Sequence, residues 1–330
     1  TLILKNIVLF ENNSLIRKNL TSFYIDPSSD IQIGVYGYVD TDITSLDFKN
    51  ITESIRELDG DYIIIIKQGS DVKLITQPLL SKNCYYRNQH GLSIALCPYP
   101  GWNRVEPNTI YCFQQDDLKS CKILFDWDKT QSKDNFDTLF DVYDKLMVDV
   151  PKKQIIMSAG KDSGVFGAYC FNNKIDSTYF IHTESENKNI LQQRINLFTE
   201  NSSHFMVEGT KELTLTQEQY LNNPLFDVEK EDLQQLELIL ENANDGFVLF
   251  GLGGDQLYRH RSNNVYPLHL INDLFEQVCI NKNIIKINPL MSRRLYQSYL
   301  NVKEKHRLTH CWQTQYMHEM KYPYSVDKYS

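Results

Sequence analysis

The sequence QIIMSAGKDSG, residues 154–164, decides the fold class of the second half of the chain. Its first four residues predict a short buried strand, and Ser163–Phe171 predicts a helix that follows after a turn of small residues. N–H groups at a helix N-terminus bind anions, and small residues let a ligand approach the backbone closely. The segment therefore predicts a phosphate-binding loop of a different residue order from GxxxxGK[ST]. The alternative is a plain turn in which Asp162 only caps the helix.

Strands and helices alternate around this loop. Alternation of this kind favours a parallel α/β sheet that binds its ligand at the carboxyl ends of the strands. Residues 271–330 are predicted to be helical and then to fray into a polar, tyrosine-rich tail. The further predicted strands are Thr178–Ile181 and Phe247–Phe250, and the further predicted helices are Asn135–Val148, Asn189–Glu200 and Glu229–Asn242.

The first part of the chain is rich in β-branched and aromatic runs that turn residues separate. We divide the chain into a sheet-dominated domain at residues 1–128 and an α/β domain at residues 129–330. One helix is predicted in the first domain, at about Ile43–Glu57. The predicted strands there are Ile7–Phe10, Ile31–Val39, Asp61–Gln68, Val72–Gln77, Leu92–Cys97, Thr109–Gln114 and Cys121–Trp127.

Length and composition bound the function. A chain of 330 residues is long enough for two cores. The net charge of −8 and the pI near 5.5 disfavour a broad nucleic-acid surface. The seven cysteines are scattered without a CxxC pair, which argues against zinc and favours a reducing, cytoplasmic location. No apolar run reaches the ~18–20 residues that span a bilayer, so we expect no membrane partner.

Two motifs carry a resemblance to a known family. Asp149–Gly164 resembles the DVPVGVLLSGGLDSS stretch of asparagine synthetases, members of the PP-loop ATP pyrophosphatase superfamily, and Phe250–Tyr258 resembles their SGEGADELF. The resemblance implies ATP and Mg²⁺ as cofactors, with Asp162 and Asp255 as the metal ligands. It also implies an adenosine contact for His182, although a packed, hydrogen-bonded histidine is an equal alternative. The remaining residues that it places at ATP or pyrophosphate are Ser158, Ala159, Gly160, Lys161, Ser163, Gly251, Gly253 and Gly254.

The first half resembles the glutaminase domain of the same family, which has an Ntn-hydrolase fold. Leu58–Tyr62, Cys84–Tyr86 and Arg104–Tyr111 resemble its LDGDF, LYY and RLPPGTYL segments. A working domain needs a cysteine nucleophile, an RHRGPD-like segment and an NGE motif, whereas this chain begins with Thr1 and has Val35–Tyr38 in place of NGEIY. We therefore expect a degenerate glutaminase domain. The alternative is that Thr1 acts as a nucleophile activated by its own amine.

The same loss marks β-lactam synthetase, carbapenam synthetase and the lasso-peptide macrocyclases, which resemble this chain. The resemblance implies an ATP-dependent amide-forming ligase that adenylates a carboxylate and transfers the acyl group to an amine. Its partners would be small-molecule or peptide substrates, and a homodimer is compatible with it. Three alternatives stay open: another PP-loop activity, a glutamine- or ammonia-dependent asparagine synthetase-type enzyme, and a nucleotide-binding scaffold without catalysis.

The resemblance leaves the last catalytic step without a clear base. Leu252 stands where the family has Glu or Tyr, and leucine cannot accept a proton. His260 and Glu186 are weak candidates for the base, whereas Gln256 could only orient the amine, because an amide is not a useful base. The pyrophosphate-contacting lysine of the family is assigned to Lys321, with Lys303 and a solvated surface charge as alternatives.

Overall fold

The computed structural model is mixed α/β, and its contacts divide the chain into two units. Unit 1 consists of Thr1–Gln131 with Leu268–Ile280, and unit 2 of Ser132–Pro267 with Asn281–Ser330. The division by sequence into residues 1–128 and 129–330 did not anticipate that Leu268–Ile280 groups with the first unit. The structure describes residues 7–79, 82–97, 101–125, 135–183, 187–212, 230–251, 275–276, 278–300 and 311–325.

Unit 1 contains two antiparallel sheets and the short helix α1 (Ile51–Arg56), and its described residues 275–276 and 278–280 are also helical. One sheet has the strand order β2-β1-β8-β7-β9 and the other β11-β10-β6-β5-β4-β3. The strands are β1 (Val8–Glu11), β2 (Ser14–Leu15), β3 (Ser22–Asp26), β4 (Ile31–Val39), β5 (Gly60–Gln68), β6 (Asp71–Thr76), β7 (Tyr85–Arg87), β8 (Ser93–Ala95), β9 (Asn103–Arg104), β10 (Thr109–Gln114) and β11 (Asp117–Ile123).

The core of unit 1 explains the long apolar run of β5. Successive side chains of a strand point to opposite faces, so Ile64 and Ile66 share one face with Tyr62. That face belongs to a buried cluster with Ile51 and Ile55 of α1. Ile63 and Ile65, on the other face, are also fully buried. Both faces of the sheet are covered at this strand, which is why the sequence shows continuous rather than alternating hydrophobicity.

Unit 2 is built on a five-stranded parallel sheet, which confirms the predicted sheet type. Its strand order is β14-β13-β12-β15-β16, so the chain winds outward in one direction from β12 and then in the other. The strands are β12 (Gln154–Met157), β13 (Thr178–His182), β14 (Ser203–Val207), β15 (Gly246–Leu249) and β16 (Ile284–Ile287). The helices are α2 (Asn135–Asp149), α3 (Lys161–Asn172), α4 (Lys188–Ile195), α5 (Lys230–Ile239), α6 (Arg293–Leu300) and α7 (Cys311–Glu319).

Several elements differ from the sequence-based predictions. The helix predicted at about Ile43–Glu57 is two 3-10 turns followed by the short α1, since Asp42 and Asp47 each cap a separate turn. The last strand of unit 1 was predicted too late in the chain, because a turn at Gln115 and Asp116 starts it at Asp117. The edge strand β14 was not predicted at all.

The end of the chain was also predicted wrongly in two respects. Residues 271–330 are not all helical, because β16 lies among them and pairs with β15. The four residues IIKI of β16 are too few to show the alternation of period two that identifies a strand in a sequence. The tail does not fray directly after α7, since Tyr322 is only 3% exposed and its hydroxyl lies 3.5 Å from Met157 Sδ.

No helix within the described part of the chain is both long and apolar enough to cross a membrane. Six cysteines in that part are present as free thiols. Burial raises the pKa of the Cys170 thiol to about 12, so this side chain is packed as an apolar group rather than as a reactive thiolate.

Buried tyrosines make the stability of the protein sensitive to alkali. Burial raises the pKa of Tyr111 in unit 1 to about 12. In the unfolded chain tyrosines lose their protons near pH 10, so above that pH the unfolded state binds fewer protons than the folded state and stability falls. Burial likewise raises the pKa of five tyrosines in unit 2, Tyr143, Tyr169, Tyr179, Tyr316 and Tyr322.

We therefore expect the urea midpoint to be constant from neutral pH to about pH 9.5 and to fall steadily between about pH 10 and 12. Ultraviolet absorbance of tyrosinate during the same titration should show a group of tyrosines that titrate only as the protein unfolds. The chain in concentrated urea, in which all tyrosines should titrate together near pH 10, is the control. A folded protein whose 20 tyrosines all titrate near pH 10 would contradict the packing described above.

Candidate functional site

The candidate site lies at the carboxyl ends of β12 and β15. The direction of winding reverses between these two neighbouring strands, and ligands of open α/β sheets bind in the crevice at such a switch point. The loop Ser158–Gly160 follows β12 and leads directly into α3. Asp162, Ser163 and Gly251 line one small pocket at this edge. The parallel sheet thus brings the loop predicted from sequence together with the first glycine of the second motif.

Hydrogen bonds within the loop give it a defined shape. The hydroxyls of Ser158 and Ser163 lie 2.8 Å apart, and Gly160 N donates to Ser158 Oγ at 3.1 Å. Ser158 N donates to Ser163 Oγ at 3.2 Å. None of residues Ser158–Ser163 has a positive φ, so the methyl group of Ala159 causes no backbone strain. These bonds join the start of the loop to the first turn of α3. The loop ends at Gly160, which is the N-cap residue of α3 and has an extended conformation.

Arg194 of α4 holds the loop from the protein interior. Its side chain is fully buried, and Nη1 donates to the carbonyl oxygens of Ser158 at 2.5 Å and Gly160 at 3.0 Å. Its Nε donates to the carbonyl of Pro323 at 2.9 Å. The guanidinium carbon lies 5.0 Å from the ring centroid of Tyr322. Arg194 was not predicted from sequence as a site residue.

Asp162 lies in the first turn of α3 and is partly exposed. Gln313 Nε2 of α7 donates to its Oδ1 at 3.4 Å, a contact that the sequence did not predict either. A carboxylate at this place fits a Mg²⁺ ion, because Mg²⁺ at nucleotide sites uses one or two carboxylates together with phosphate oxygens and water. No three His, Cys, Asp or Glu side chains are grouped as metal ligands in the described ranges. Asp255, the predicted second ligand, lies outside the described residues.

Gly251 is the last residue of the second motif, Phe250–Tyr258, that the structure describes. A Cβ atom at Gly251 would lie 3.2 Å from both the backbone N and the Cα of Ser163, which is closer than an ordinary contact. The absence of a side chain therefore lets the end of β15 approach the start of α3. Gly253, Gly254 and Gln256 lie outside the described residues, so their predicted roles stay predictions, as do those of Leu252, His260, Glu186 and Lys303.

His182 lies at the carboxyl end of β13, next to the candidate site strand. It is 6% exposed, and its Nε2 lies 2.8 Å from the carbonyl of Gly209. Its Nδ1 is buried and has no hydrogen-bond partner among the residues that the structure describes. The contact to Gly209 fits the packed-histidine alternative, while an adenosine contact stays a prediction.

Lys321 follows α7 in a left-handed conformation (φ 55°) with an exposed side chain. Residues in this conformation commonly end helices. The exposure fits the alternative of a solvated charge, and contact with pyrophosphate stays a prediction. Lys161, the first residue of α3, is by contrast 7% exposed.

Unit 1 contains a buried polar cluster that the sequence did not predict. Lys82 Nζ lies 3.6 Å from Asp61 Oδ1, and neither side chain is more than 1% exposed. Lys82 also lies 5.5 Å from the ring centroid of Tyr36. Tyr36 Oη donates to Oε1 of the fully buried Glu276 at 3.1 Å. The segment Val35–Tyr38 thus lies in the continuous strand β4, with Tyr36 turned into this cluster, and Thr1 lies outside the described residues.

The comparisons with known proteins give only distant similarity. No family model matches the chain, and no curated protein matches it. One similar solved structure is glutamine phosphoribosylpyrophosphate amidotransferase from B. subtilis complexed with ADP and GMP, at 11% identity over 69% of this chain and 56% of that chain, with a TM-score of 0.27. Another is described as the allosteric regulatory enzyme of purine biosynthesis, at 7% identity over 84% of this chain and 64% of that chain, with a TM-score of 0.26.

The chain thus spans less than two thirds of the length of either neighbour. At these TM-scores we infer neither fold nor activity from them. The functional interpretation depends on the geometry of the site.

Proposed function

We propose that the protein is an ATP-dependent ligase that activates a carboxylate as an acyl-adenylate, releases pyrophosphate and forms an amide with an amine substrate. The observation that carries the proposal is the loop Ser158–Gly160 at the switch point of the parallel sheet, with Asp162 and Ser163 in the first turn of α3. The resemblance of this loop and of Phe250–Tyr258 to asparagine synthetase motifs supports it. PP-loop chemistry, ATP and Mg²⁺ are part of the proposal.

The residues of the loop suit an anionic ligand. Helix α3 has 12 residues, and the N–H groups of its first turn carry the positive end of its dipole. Ser158 and Ser163 add hydroxyl groups beside them. A phosphate group bound here would meet N–H and O–H donors on one side, and Asp162 could hold Mg²⁺ on the other. Bound Mg²⁺ would neutralise charge on the departing pyrophosphate.

The chemistry of the ligase follows from the poor reactivity of a carboxylate. Attack of the carboxylate oxygen on the α-phosphorus of ATP breaks the α–β bond and turns the carboxyl group into an acyl phosphate with AMP as leaving group. An amine held next to the acyl carbon then displaces AMP, and proximity supplies much of the rate. We assign Gln256 to orientation of the amine and Lys321 to the pyrophosphate.

The interior of unit 1 supports an amine substrate rather than ammonia from glutamine. Tyr36 belongs to the segment that stands in place of the glutamine-binding NGEIY, and it is 2% exposed and bonded to Glu276. Lys82 and Asp61 pair beside it without access to solvent. A substrate pocket needs open space and accessible polar groups, whereas these groups are buried against one another. We therefore propose a structural role for unit 1.

A hydroxylamine trap tests the proposed function. The protein with Mg-ATP, hydroxylamine and pools of carboxylic acids should release pyrophosphate and form an acyl hydroxamate with the correct acid, because hydroxylamine intercepts the activated acyl group. Glutamine alone should give no glutamate. Pyrophosphate release without a hydroxamate in any pool would exclude an acyl-adenylate, and binding of ATP without any turnover would favour the scaffold alternative.

A further inference from the structure

We propose that Arg194 is a positioning residue that sets the direction of the N–H groups of the phosphate loop and couples the loop to the C-terminal segment Met317–Pro323. The part of the inference that concerns Mg-ATP binding rests on the proposed function. Its physical basis is a buried guanidinium that contacts the two loop carbonyls of Ser158 and Gly160 and the carbonyl of Pro323.

The planarity of the peptide bond connects these contacts to phosphate binding. In a trans peptide the C=O of one residue and the N–H of the next point in opposite directions. Arg194 binds the Ser158 carbonyl, so it directs the Ala159 N–H away from itself. The Gly160 carbonyl, which also accepts from Gly164 N, likewise fixes the direction of the Lys161 N–H. One side chain in the interior thus orients two N–H groups toward the opposite side of the loop.

An arginine is suited to this place for a specific reason. The guanidinium is planar, always charged and carries five donors in a rigid fork, so it can serve several carbonyls that diverge from one point. Nη1 donates to the loop carbonyl of Gly160, while Nε donates to the carbonyl of Pro323. A lysine ammonium is a single point of charge and cannot reproduce both directions. The buried positive charge also favours an anion at the loop, in the same sense as the dipole of α3.

Two glycines of α3 make room for this arrangement. A Cβ at Gly164 would lie 2.6 Å from Arg194 Nη2 and 2.5 Å from Met317 Sδ, and a Cβ at Gly167 would lie 2.5 Å from Tyr322 Oη. Glycine in a helix interior costs about 1 kcal/mol relative to alanine. The absence of a side chain at these two positions is what lets Arg194 and the C-terminal segment pack directly against the helix that the loop precedes.

The test compares Arg194→Met and Arg194→Lys with the control Leu191→Ala. Leu191 lies on the same helix and is 2% exposed, and its apolar side chain cannot donate a hydrogen bond to the loop carbonyls, so its truncation should destabilise the fold without removing the contacts of Arg194. Each variant is measured at a temperature at which it is folded. The two readouts are the Kd for Mg-ATP by calorimetry and the amide hydrogen exchange rates of Ala159 and Lys161.

We expect Arg194→Met to raise the Kd for Mg-ATP about 10- to 100-fold, as loss of one charged hydrogen-bond donor does, and to speed exchange at both amides. Arg194→Lys should be intermediate in both, and Leu191→Ala should stay within about twofold of the wild-type Kd. A Kd and exchange rates for Arg194→Met equal to those of Leu191→Ala would overturn the proposal. If Arg194→Met does not fold, wild-type values for Arg194→Lys would overturn it.

The outcomes separate this inference from the proposed function. A wild-type protein that binds no Mg-ATP would contradict the proposed function. Amide exchange at Ala159 and Lys161 would still decide whether Arg194 positions the loop, because that readout needs no nucleotide.

Discussion

Replacement of Asp162 by alanine is expected to lower pyrophosphate release from Mg-ATP by about 10²–10³-fold or more, the usual cost of losing one group that stabilises transition-state charge. The fold should tolerate the change. Asp162 is partly exposed in the first turn of α3, where an acidic side chain contributes about 0.3–1 kcal/mol to helix stability. The loss of activity should therefore far exceed the loss of stability.

Steady-state pyrophosphate release and urea unfolding of the same preparations check this prediction. Asp137→Ala is a matched control, because Asp137 is also an acidic residue in the first turn of a helix of unit 2, is exposed, and belongs to neither predicted motif. It should keep full activity and lose a similar, small amount of stability. Retention of wild-type activity in Asp162→Ala would exclude Asp162 as a ligand of the metal.

Replacement of Lys82 by methionine is expected to destabilise unit 1 by about 3–5 kcal/mol, because removal of one partner of a buried ion pair leaves the other charge uncompensated. Lys82 and Asp61 are 3.6 Å apart and neither is more than 1% exposed. Tyr36, which lies 5.5 Å from Lys82 Nζ at its ring centroid and donates to the fully buried Glu276, belongs to the same cluster.

Urea unfolding of the single and double variants separates the free energy lost by leaving a buried charge unpaired from that lost by changed packing. Lys82→Met together with Asp61→Asn should recover most of the lost stability, because the pair is then replaced by neutral groups of similar size. Pyrophosphate release measured while the single variant is folded should stay close to wild type, since the cluster lies in unit 1. Equal stability of Lys82→Met and the wild-type protein would show that the ion pair contributes nothing and would weaken the structural role proposed for unit 1.

The sequence predicted the loop and the elements beside it well, because the residues that identify them are neighbours in the chain. The strand Gln154–Met157, the small residues after it and the helix that follows are contiguous, so composition and period were enough to identify the loop. The parallel sheet followed from the alternation of strands and helices. β16 was missed because four residues of IIKI carry no readable period, and β14 because the exposed SHFMV lacks the burial pattern of the other strands.

Sequence could not predict the groups that support the site, because these contacts join distant positions. Arg194 is 36 residues from Ser158 and 129 from Pro323, and in the sequence it reads as one of several polar residues of an ordinary helix. Gln313 is 151 residues from Asp162. The partner of Tyr36 in unit 1, Glu276, is 240 residues away. The glycines at 164 and 167 were the one local sign that α3 is closely packed.

The identity of the nucleotide product tests the central claim most directly. The protein is incubated with ATP labelled in its α- and γ-phosphates, Mg²⁺ and the acid found by hydroxylamine trapping, and the products are separated. Binding of ATP at the loop Ser158–Gly160 and the first turn of α3, with cleavage as proposed, predicts AMP and pyrophosphate in a one-to-one ratio, and Asp162→Ala should lower the release of both to the extent given above. Formation of ADP and inorganic phosphate instead would contradict the account, because it would place the cleavage at the γ-phosphate.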